Sequence, residues 1–580
     1  MGGDVTVLPL GWTSLTLASE ASGSWSPTLS PDGMHAAYVS DRSGRPQVWV
    51  QPVGSSLAFL VDTGPAPVSA VQWSTGGGWL ACQLAPGGAP RHEVWLVRPD
   101  GSGLHQVAGF GSDTADTMRW LPGRSLLAVT ENLTTALLID PVASSRTIIT
   151  TGELISLLDV NADGDRALLR VGPRGDRTIV LRALPDGPDE PVAVGEQAVF
   201  GPDGRTVYAR SEDGEFPVLV RDGVRLTPVV DSEVEAFALT ADGRRVAVLW
   251  NVRGGQSEVS LLAERSLPLP GPVVSGLTWS FDGSALAFTA EGPGQPHGVW
   301  VYTDAGGLVA VSADPAAADA VRPSLEAFAA HDGLTLTGWL FRPRTPGPHP
   351  AVVWLHGGPE AQERPGHGPL FQSLVARGIA VFAPNVRGSS GFGRTFVNAD
   401  NLGLRYGAVE DVRSSVRYLV NGGIADTSRV GCMGRSYGGY LTLAALTSFP
   451  DLFAVGIDVC GMSNFFTFYE HTEPWIAAAA VSKYGDPIAD RDLLADLSPI
   501  NRIDRLKAPL LIVHGENDSN VPVIEAEQVA RALAARGVEH RYLLFPDEGH
   551  ELLHRSSRAD YLRETVDWLT THLLPPPHRP

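Results

Sequence analysis

Gly431-Cys432-Met433-Gly434-Arg435-Ser436-Tyr437-Gly438-Gly439-Tyr440 is the stretch on which the reading of the fold turns. The apolar, β-branched run Arg429-Val430-Gly431-Cys432-Met433 ends inside it, and an alanine- and leucine-rich run from Tyr440 to Ser448 begins near its end. Strand, tight turn and helix, with Gly434-Arg435-Ser436-Tyr437-Gly438 at the turn, form the pattern of a nucleophile elbow in an α/β-hydrolase sheet. The turn forces the serine into a strained backbone conformation, and the flanking glycines remove Cβ atoms that would clash there. Ser436 Oγ is expected at the top of the sheet, near the positive end of a helix.

Two segments further on supply the partners that a serine needs, because its hydroxyl is a poor nucleophile until an imidazole takes its proton and a buried carboxylate orients that imidazole. Pro509-Leu510-Leu511-Ile512-Val513-His514-Gly515-Glu516-Asn517-Asp518 reads as a buried strand that delivers Asp518 just past its end. Arg541-Tyr542-Leu543-Leu544-Phe545-Pro546-Asp547-Glu548-Gly549-His550 reads as a last strand followed by a loop carrying His550. The chain order Ser436, Asp518, His550 is the α/β-hydrolase order. Asp547 and Glu516 compete for the carboxylate role, and His514 and His554 for the imidazole. Asp518 and His550 rank first because each sits on a loop after a strand, whereas His514 precedes a turn glycine and suits bracing that turn. One oxyanion donor follows from the elbow itself, the backbone N–H of Tyr437.

The first half of the chain is repetitive. Turn signals recur about every 40 residues: Ser30-Pro31-Asp32-Gly33, Ser74-Thr75-Gly76-Gly77, Leu121-Pro122-Gly123, Asn161-Ala162-Asp163-Gly164, Gly201-Pro202-Asp203-Gly204, Thr240-Ala241-Asp242-Gly243 and Ser280-Phe281-Asp282-Gly283. Short alternating strands follow each, several with a tryptophan, as in Val48-Trp49-Val50, Val94-Trp95-Leu96 and Val299-Trp300-Val301. That period suits one four-stranded blade of a β-propeller. Seven units fit between about residues 20 and 312; the degenerate second and third turns also allow six or eight. The strand pattern breaks in an alanine- and aspartate-rich stretch near 312–321. The expected architecture is therefore a β-propeller over 21–315 and an α/β-hydrolase domain over 316–580. The latter opens with the hairpin Glu326–Leu340 and the buried strands His349–Leu355 and Gly378–Pro384.

Four strings together resemble the prolyl oligopeptidase family of serine peptidases, closest to its acylaminoacyl-peptidase-like branch. They are His356-Gly357-Gly358-Pro359, Asn385-Val386-Arg387-Gly388-Ser389-Ser390-Gly391-Phe392-Gly393, the Gly-Arg-Ser-Tyr-Gly-Gly elbow and His514-Gly515-Glu516-Asn517-Asp518. The resemblance covers the whole catalytic half. It implies that residues 1–20 return to pack on the hydrolase, and that Gly358 supplies the second oxyanion donor through its backbone N–H, with His356 bracing the loop. It places Phe465, Phe466 and Phe468 where such enzymes build an apolar S1 pocket, although an aromatic stripe reads equally well as core. Dipeptidyl aminopeptidases of the family hold the substrate amine with paired glutamates, and this chain has no Glu-Glu dipeptide. Arg387, Arg394 and Arg435 lie on the motif loops, where a guanidinium can grip a terminal carboxylate; pairing with local acids such as Glu410 or Asp411 is the alternative. The resemblance thus implies a serine peptidase of short peptides, of acylaminoacyl type. A carboxypeptidase using an arginine and a carboxylesterase stand as alternatives.

Composition sets the remaining bounds. A chain of 580 residues, 43% hydrophobic, exceeds one ordinary core. A net charge of −20 repels phosphate, which argues against nucleic acid and anionic membranes as partners. No apolar stretch reaches the roughly 20 residues that span a bilayer. Cys82, Cys432 and Cys460 lack metal-ligand spacing and read as buried thiols of a reduced compartment. The start, Met1-Gly2-Gly3-Asp4-Val5, shows no secretory pattern, so a cytoplasmic location is expected. No metal or cofactor is implied, and a homo-oligomer stays open.

Overall fold

Each Ser/Thr-x-Asp-Gly signal becomes a hairpin turn. Asp32 accepts from Ser30 Oγ at 2.6 Å and from the Met34 N–H at 3.1 Å, closing Ser24–Leu29 onto His35–Ser40. The same side-chain clasp recurs at Thr240–Asp242 (2.7 Å) and Ser280–Asp282 (2.6 Å). Built from such turns, the computed structural model, which describes residues 22–173, 177–228 and 230–575, contains seven four-stranded antiparallel sheets over 24–61, 68–108, 115–151, 155–194, 197–225, 233–266 and 273–312. These are the blades of a seven-bladed propeller, numbered 1 to 7. The expected packing of residues 1–20 lies outside the described residues.

Every blade consists of four strands consecutive in the chain, so no strand is exchanged to close the ring. Side chains close it instead. Leu29, Tyr38, Val299 and Val301 form an apolar core between blades 1 and 7, of the same kind as those between the other neighbours. Gln51 Nε2 of blade 1 donates to the Val311 carbonyl of blade 7 at 2.5 Å, and Ser24 Oγ lies 2.7 Å from Ser312 Oγ. Trp49, Trp95 and Trp300 pack on inter-blade cores, as the sequence pattern suggests. Trp120 and Trp279 stitch blades by donating to the carbonyls of Gln72 and Ala238.

The second half forms an eight-stranded sheet. Its strands are β1 (Ser324–Ala329), β2 (Thr335–Phe341), β3 (His349–Leu355), β4 (Ala380–Asn385), β5 (Ala425–Arg435), β6 (Val455–Val459), β7 (Leu510–Gly515) and β8 (His540–Phe545). They lie in the order β1-β2-β4-β3-β5-β6-β7-β8, antiparallel through β1, β2 and β4 and parallel from β4 to β8. Helices Arg405–Asn421, Tyr437–Ser448 and Ile524–Arg536 cover one face, and Pro369–Val375 with Arg555–Leu573 the other. Coverage on both faces explains why β6 and β7 are buried at every residue and read as unbroken apolar runs. The carboxyl ends of β5, β7 and β8 therefore emerge side by side, where a parallel sheet collects its functional loops.

Candidate active site

Strand β5 ends at Arg435 and the next residue, Ser436, has φ 57° and ψ −119°. A non-glycine residue at positive φ is strained by about 1–3 kcal/mol and persists only where its surroundings over-determine it. Here the surroundings are backbone. A Cβ on Gly438 would stand 1.9 Å from the Leu355 carbonyl oxygen of β3, and one on Gly434 would stand 2.3 Å from the Gly438 oxygen. Strand, turn and helix thus pack with no room for a side chain, and the Ser436 N–H is tied to the Val459 carbonyl of β6 at 2.8 Å. Tyr437 opens the helix Tyr437–Ser448, in whose first turn the N–H groups have no intrahelical acceptor.

His550 Nε2 lies 3.1 Å from Ser436 Oγ, and His550 Nδ1 lies 2.7 Å from Asp518 Oδ2. The other carboxylate oxygen of Asp518 accepts from the N–H groups of Asn520 and Val521, both at 2.9 Å. Asp518 is buried; burial alone would raise its pKa, but His550, His514 and the backbone donors hold it below the usual carboxylate value. For His550 burial favours the neutral ring, yet the adjacent Cys460 and Asp518 outweigh it and raise the pKa. The rival residues stand elsewhere. Asp547 and Glu516 are exposed, His554 pairs with Glu548 at 3.1 Å, and His514 bonds the Val521 carbonyl at 2.8 Å, bracing the Asp518 turn.

Above Ser436 lies the loop after β3. A Cβ on Gly357 would fall 3.4 Å from Ser436 Cβ, and Gly358, at φ 124°, follows it. His356 is buried under this loop, with Nε2 2.8 Å from Ser389 Oγ and Nδ1 2.7 Å from the Gly357 carbonyl. It therefore ties the loop to the Val386–Gly393 segment.

The arginines are largely committed to the protein itself. Arg387, expected as a substrate contact, is buried and spanned by two carboxylates. Asp411 accepts from Nε (2.9 Å) and Nη2 (2.8 Å), and Asp332 from Nη1 (2.9 Å) and Nη2 (3.0 Å). Both ends of its fork are occupied, so it braces the loop and does not meet a substrate carboxylate. Arg435 donates to the His550 carbonyl at 2.5 Å and pairs with Glu551 at 2.6 Å, propping the histidine loop. Arg394 is exposed at the rim of a cavity between the two domains. Of the three phenylalanines expected in S1, Phe465 has no accessible surface and packs on Tyr440 and Tyr484, and Phe468 is buried with Tyr469 and Tyr484. They line no open space and belong to the core; Phe466 is half-buried beneath Arg491.

Several neighbours of the site carried no legible signal. The fully buried Arg405 is held between the rings of Tyr437 and Tyr484 and pairs with Asp400 at 3.2 Å, and Tyr437 Oη donates to the same Asp400 at 2.8 Å. Lys483, one of two lysines in the chain, is buried and pairs with Glu360 at 3.0 Å, two residues beyond Gly358. Only Glu360 was open to discovery from sequence, by its place directly after His-Gly-Gly-Pro. Cys460, Asp518 and His550 have ligand atoms within 4.8 Å of one another, but His550 is engaged by Asp518 through Nδ1 and by Ser436 through Nε2. Among the described residues no helix is long and apolar enough to cross a membrane.

Comparison with known proteins agrees with this geometry. The profile of the prolyl oligopeptidase family matches residues 369–575. Dipeptidyl aminopeptidase BIII of Pseudoxanthomonas mexicana is 28% identical over 90% of this chain and 83% of its own length. Acylamino-acid-releasing enzyme 2 of Oryza sativa subsp. japonica is 32% identical over 39% of this chain and 30% of its own length. A crystal structure of puromycin hydrolase superimposes with a TM-score of 0.83 at 18% identity, covering 96% of both chains, a likeness of fold. With a serine elbow, a histidine and a carboxylate in one line of hydrogen bonds on this architecture, the catalytic domain carries the profile of the prolyl oligopeptidase family over 369–575, and the chain is a serine hydrolase acting on peptides.

Proposed function

We propose that this hydrolase is an exopeptidase working from the amino end of short peptides, with Ser436 as nucleophile, His550 as general base and then acid, and Asp518 as the group that orients the imidazole. His550 Nε2 takes the Ser436 proton as Oγ attacks the carbonyl carbon. The N–H groups of Tyr437 and Gly358 receive the negative charge that develops on the carbonyl oxygen, a contribution of about 3–4 kcal/mol per donor. The protonated imidazole then passes its proton to the leaving amine, and water repeats the sequence on the acyl-enzyme.

One observation supports the amino-end reading. Between the domains, beginning two residues past Gly358, lies a cavity of about 490 Å³ whose lining includes Glu196, Glu212, Glu215, Glu233 and Glu360 against Arg177, Arg210 and Arg394. Five carboxylates against three guanidinium groups leave an excess of negative charge, which favours an α-ammonium group and disfavours a C-terminal carboxylate. Burial raises the pKa of Glu233, and the Gly393 N–H at 3.0 Å counters that. A second reading, removal of N-acylated residues, draws on the similarity to acylamino-acid-releasing enzymes and on the partners these carboxylates already have, among them Arg210 for Glu212 and Lys483 for Glu360.

Matched peptides with a free, an acetylated and an amidated end separate these readings. On the amino-end reading, acetylation of the N-terminus lowers kcat/KM by about 10- to 100-fold, the worth of a lost charge-assisted hydrogen bond, and amidation of the C-terminus changes little. Faster cleavage of the acetylated peptide establishes the acylaminoacyl activity instead, and a loss confined to the amidated peptide establishes carboxypeptidase action.

A further inference from the structure

The loop joining the second and third strands of blade 2 (Leu80–Leu84 and Glu93–Val97) reaches out of the propeller and lies on the two loops that carry Asp518 and His550. Its Gly87 and Gly88 have φ 64° and 70°. The Gly87 carbonyl accepts from Asn517 Nδ2 at 3.0 Å, one residue before Asp518. A Cβ on Gly88 would stand 2.8 Å from the N of Gly549, one residue before His550, and a Cβ on Gly549 would stand 1.9 Å from the Gly88 oxygen. Beneath them a Cβ on Gly515 would stand 2.2 Å from the Gly549 oxygen. Propeller loop, histidine loop and the end of β7 are thus stacked backbone on backbone through three glycines.

A few residues along the same loop, Arg91 Nε pairs with the buried Glu473 at 3.1 Å, and Glu473 in turn accepts from Ser519 Oγ at 3.0 Å, next to Asp518 on its other side. Blade 2 therefore touches Asn517 and the residue before His550 directly, and reaches the other flank of the Asp518 turn through Glu473. Among the described residues no comparable propeller contact is made to Ser436, whose position is enforced inside the hydrolase.

We propose that the blade-2 loop is the positioning element of the triad, with Gly88 and Arg91 as positioning residues that hold His550 and Asp518 in line with Ser436, so that the propeller takes part in catalysis as well as in selecting substrates. The proposal rests on the assignment of Ser436, Asp518 and His550 as the triad. A misplacement of about 1 Å at reacting groups costs on the order of 100-fold in rate, and a methyl group on Gly88 has to push Gly549 by a comparable distance.

The test is hydrolysis of a small chromogenic acetate ester, which does not need the interdomain cavity, by the full chain carrying Gly88→Ala, Arg91→Gln or Gly101→Ala. Gly101 sits at φ 85° in another turn of blade 2, with nothing within 4 Å of its Cβ position, so its substitution carries the same backbone strain without the contact. Gly88→Ala is expected to lower kcat about 10- to 100-fold with little change in KM, and to move the ascending limb of the pH profile toward lower pH as His550 loses Asp518. Arg91→Gln, which leaves the glycine contacts of the loop in place and removes the Arg91 bonds to Glu473 and to the Ser112 carbonyl, lowers kcat several-fold, and Gly101→Ala leaves both parameters alone. Equal losses in Gly88→Ala and Gly101→Ala, or full kcat with an unmoved pH limb in Gly88→Ala and Arg91→Gln, overturn the proposal. If Gly88→Ala does not fold, Arg91→Gln decides by the same two readouts. Retained turnover in Ser436→Ala would instead overturn the triad assignment, whatever blade 2 does.

Discussion

Ser436 and His550 face each other across 3.1 Å, yet they are held there by opposite means. The serine is fixed by its own neighbours in the chain and by the strands beside it. Gly434 and Gly438 let β3, β5 and the following helix close to backbone contact, and an N–H bond to Val459 completes the turn. The histidine sits on a loop after β8, the last strand of the sheet, and its loop is packed between Gly515 of the hydrolase and Gly88 of the propeller. Nucleophile placement is thus a local property of one domain, whereas acid–base placement involves two. A two-domain peptidase built this way has its most sensitive geometry at the domain interface.

The sharpest test of the local half is Ser436→Ala. Turnover should fall roughly 10⁶-fold, with a residual rate above background because the oxyanion donors remain. An organophosphonate should label Ser436 in the wild type and nothing in the variant, and mass mapping of the adduct checks this. A label on another serine moves the nucleophile and dissolves the comparison.

The interdomain half answers to Asp518→Asn, expected to cost about 10⁴-fold in kcat because the wrong imidazole tautomer is then held. Asp547→Asn, on an exposed turn, should leave the rate almost unchanged. The pH dependence sharpens this. The neutral imidazole is the base, and the Asp518 carboxylate beside it raises the His550 pKa, so the ascending limb of kcat/KM should lie above the ordinary histidine value of about 6.5. In Asp518→Asn the limb should move to lower pH; a stationary limb would give the orienting role to another acid.

The smallest effect concerns the hydrolase interior. Arg387→Ala leaves the fully buried Asp411 without its counter-charge, a loss of about 3–5 kcal/mol in stability, measured by denaturant titration. Cleavage of free and amidated peptides should change in parallel. A selective loss for the free carboxylate would restore Arg387 as a substrate ligand and weaken the view that this side of the site is closed on itself.

The features legible in the chain were those that depend on near neighbours. The elbow showed because glycines at i−2 and i+2 of a serine, between a strand run and a helix run, have few other uses. The blades showed because the Ser/Thr-x-Asp-Gly clasp closes within four residues and repeats. Phe465 and Phe468 could not be sorted into pocket or core, because an aromatic stripe has the same spacing in either, and only Tyr440 and Tyr484 closing over them decides it. Arg387 is equally ambiguous in the sequence, and Asp332 and Asp411 decide it by taking both ends of its fork.

The absence of a Glu-Glu dipeptide illustrates the same limit for charge. In the sequence it weighs against an amine site, yet Glu196, Glu212, Glu215 and Glu233 come from the propeller and Glu360 from the loop after β3, and they line one cavity. By itself the sequence determined the sheet that carries the serine, the order of serine, acid and base, and a blade repeat of about 40 residues, since turn geometry, strand alternation and glycine clearance act over a few residues, whereas the structure fixed the number of blades at seven. Only the tertiary structure decided which charges converge between the domains and which propeller loop bears on the histidine. Those are contacts between residues hundreds of positions apart, and their distances are set by the packing of whole blades against the hydrolase, which no local pattern encodes.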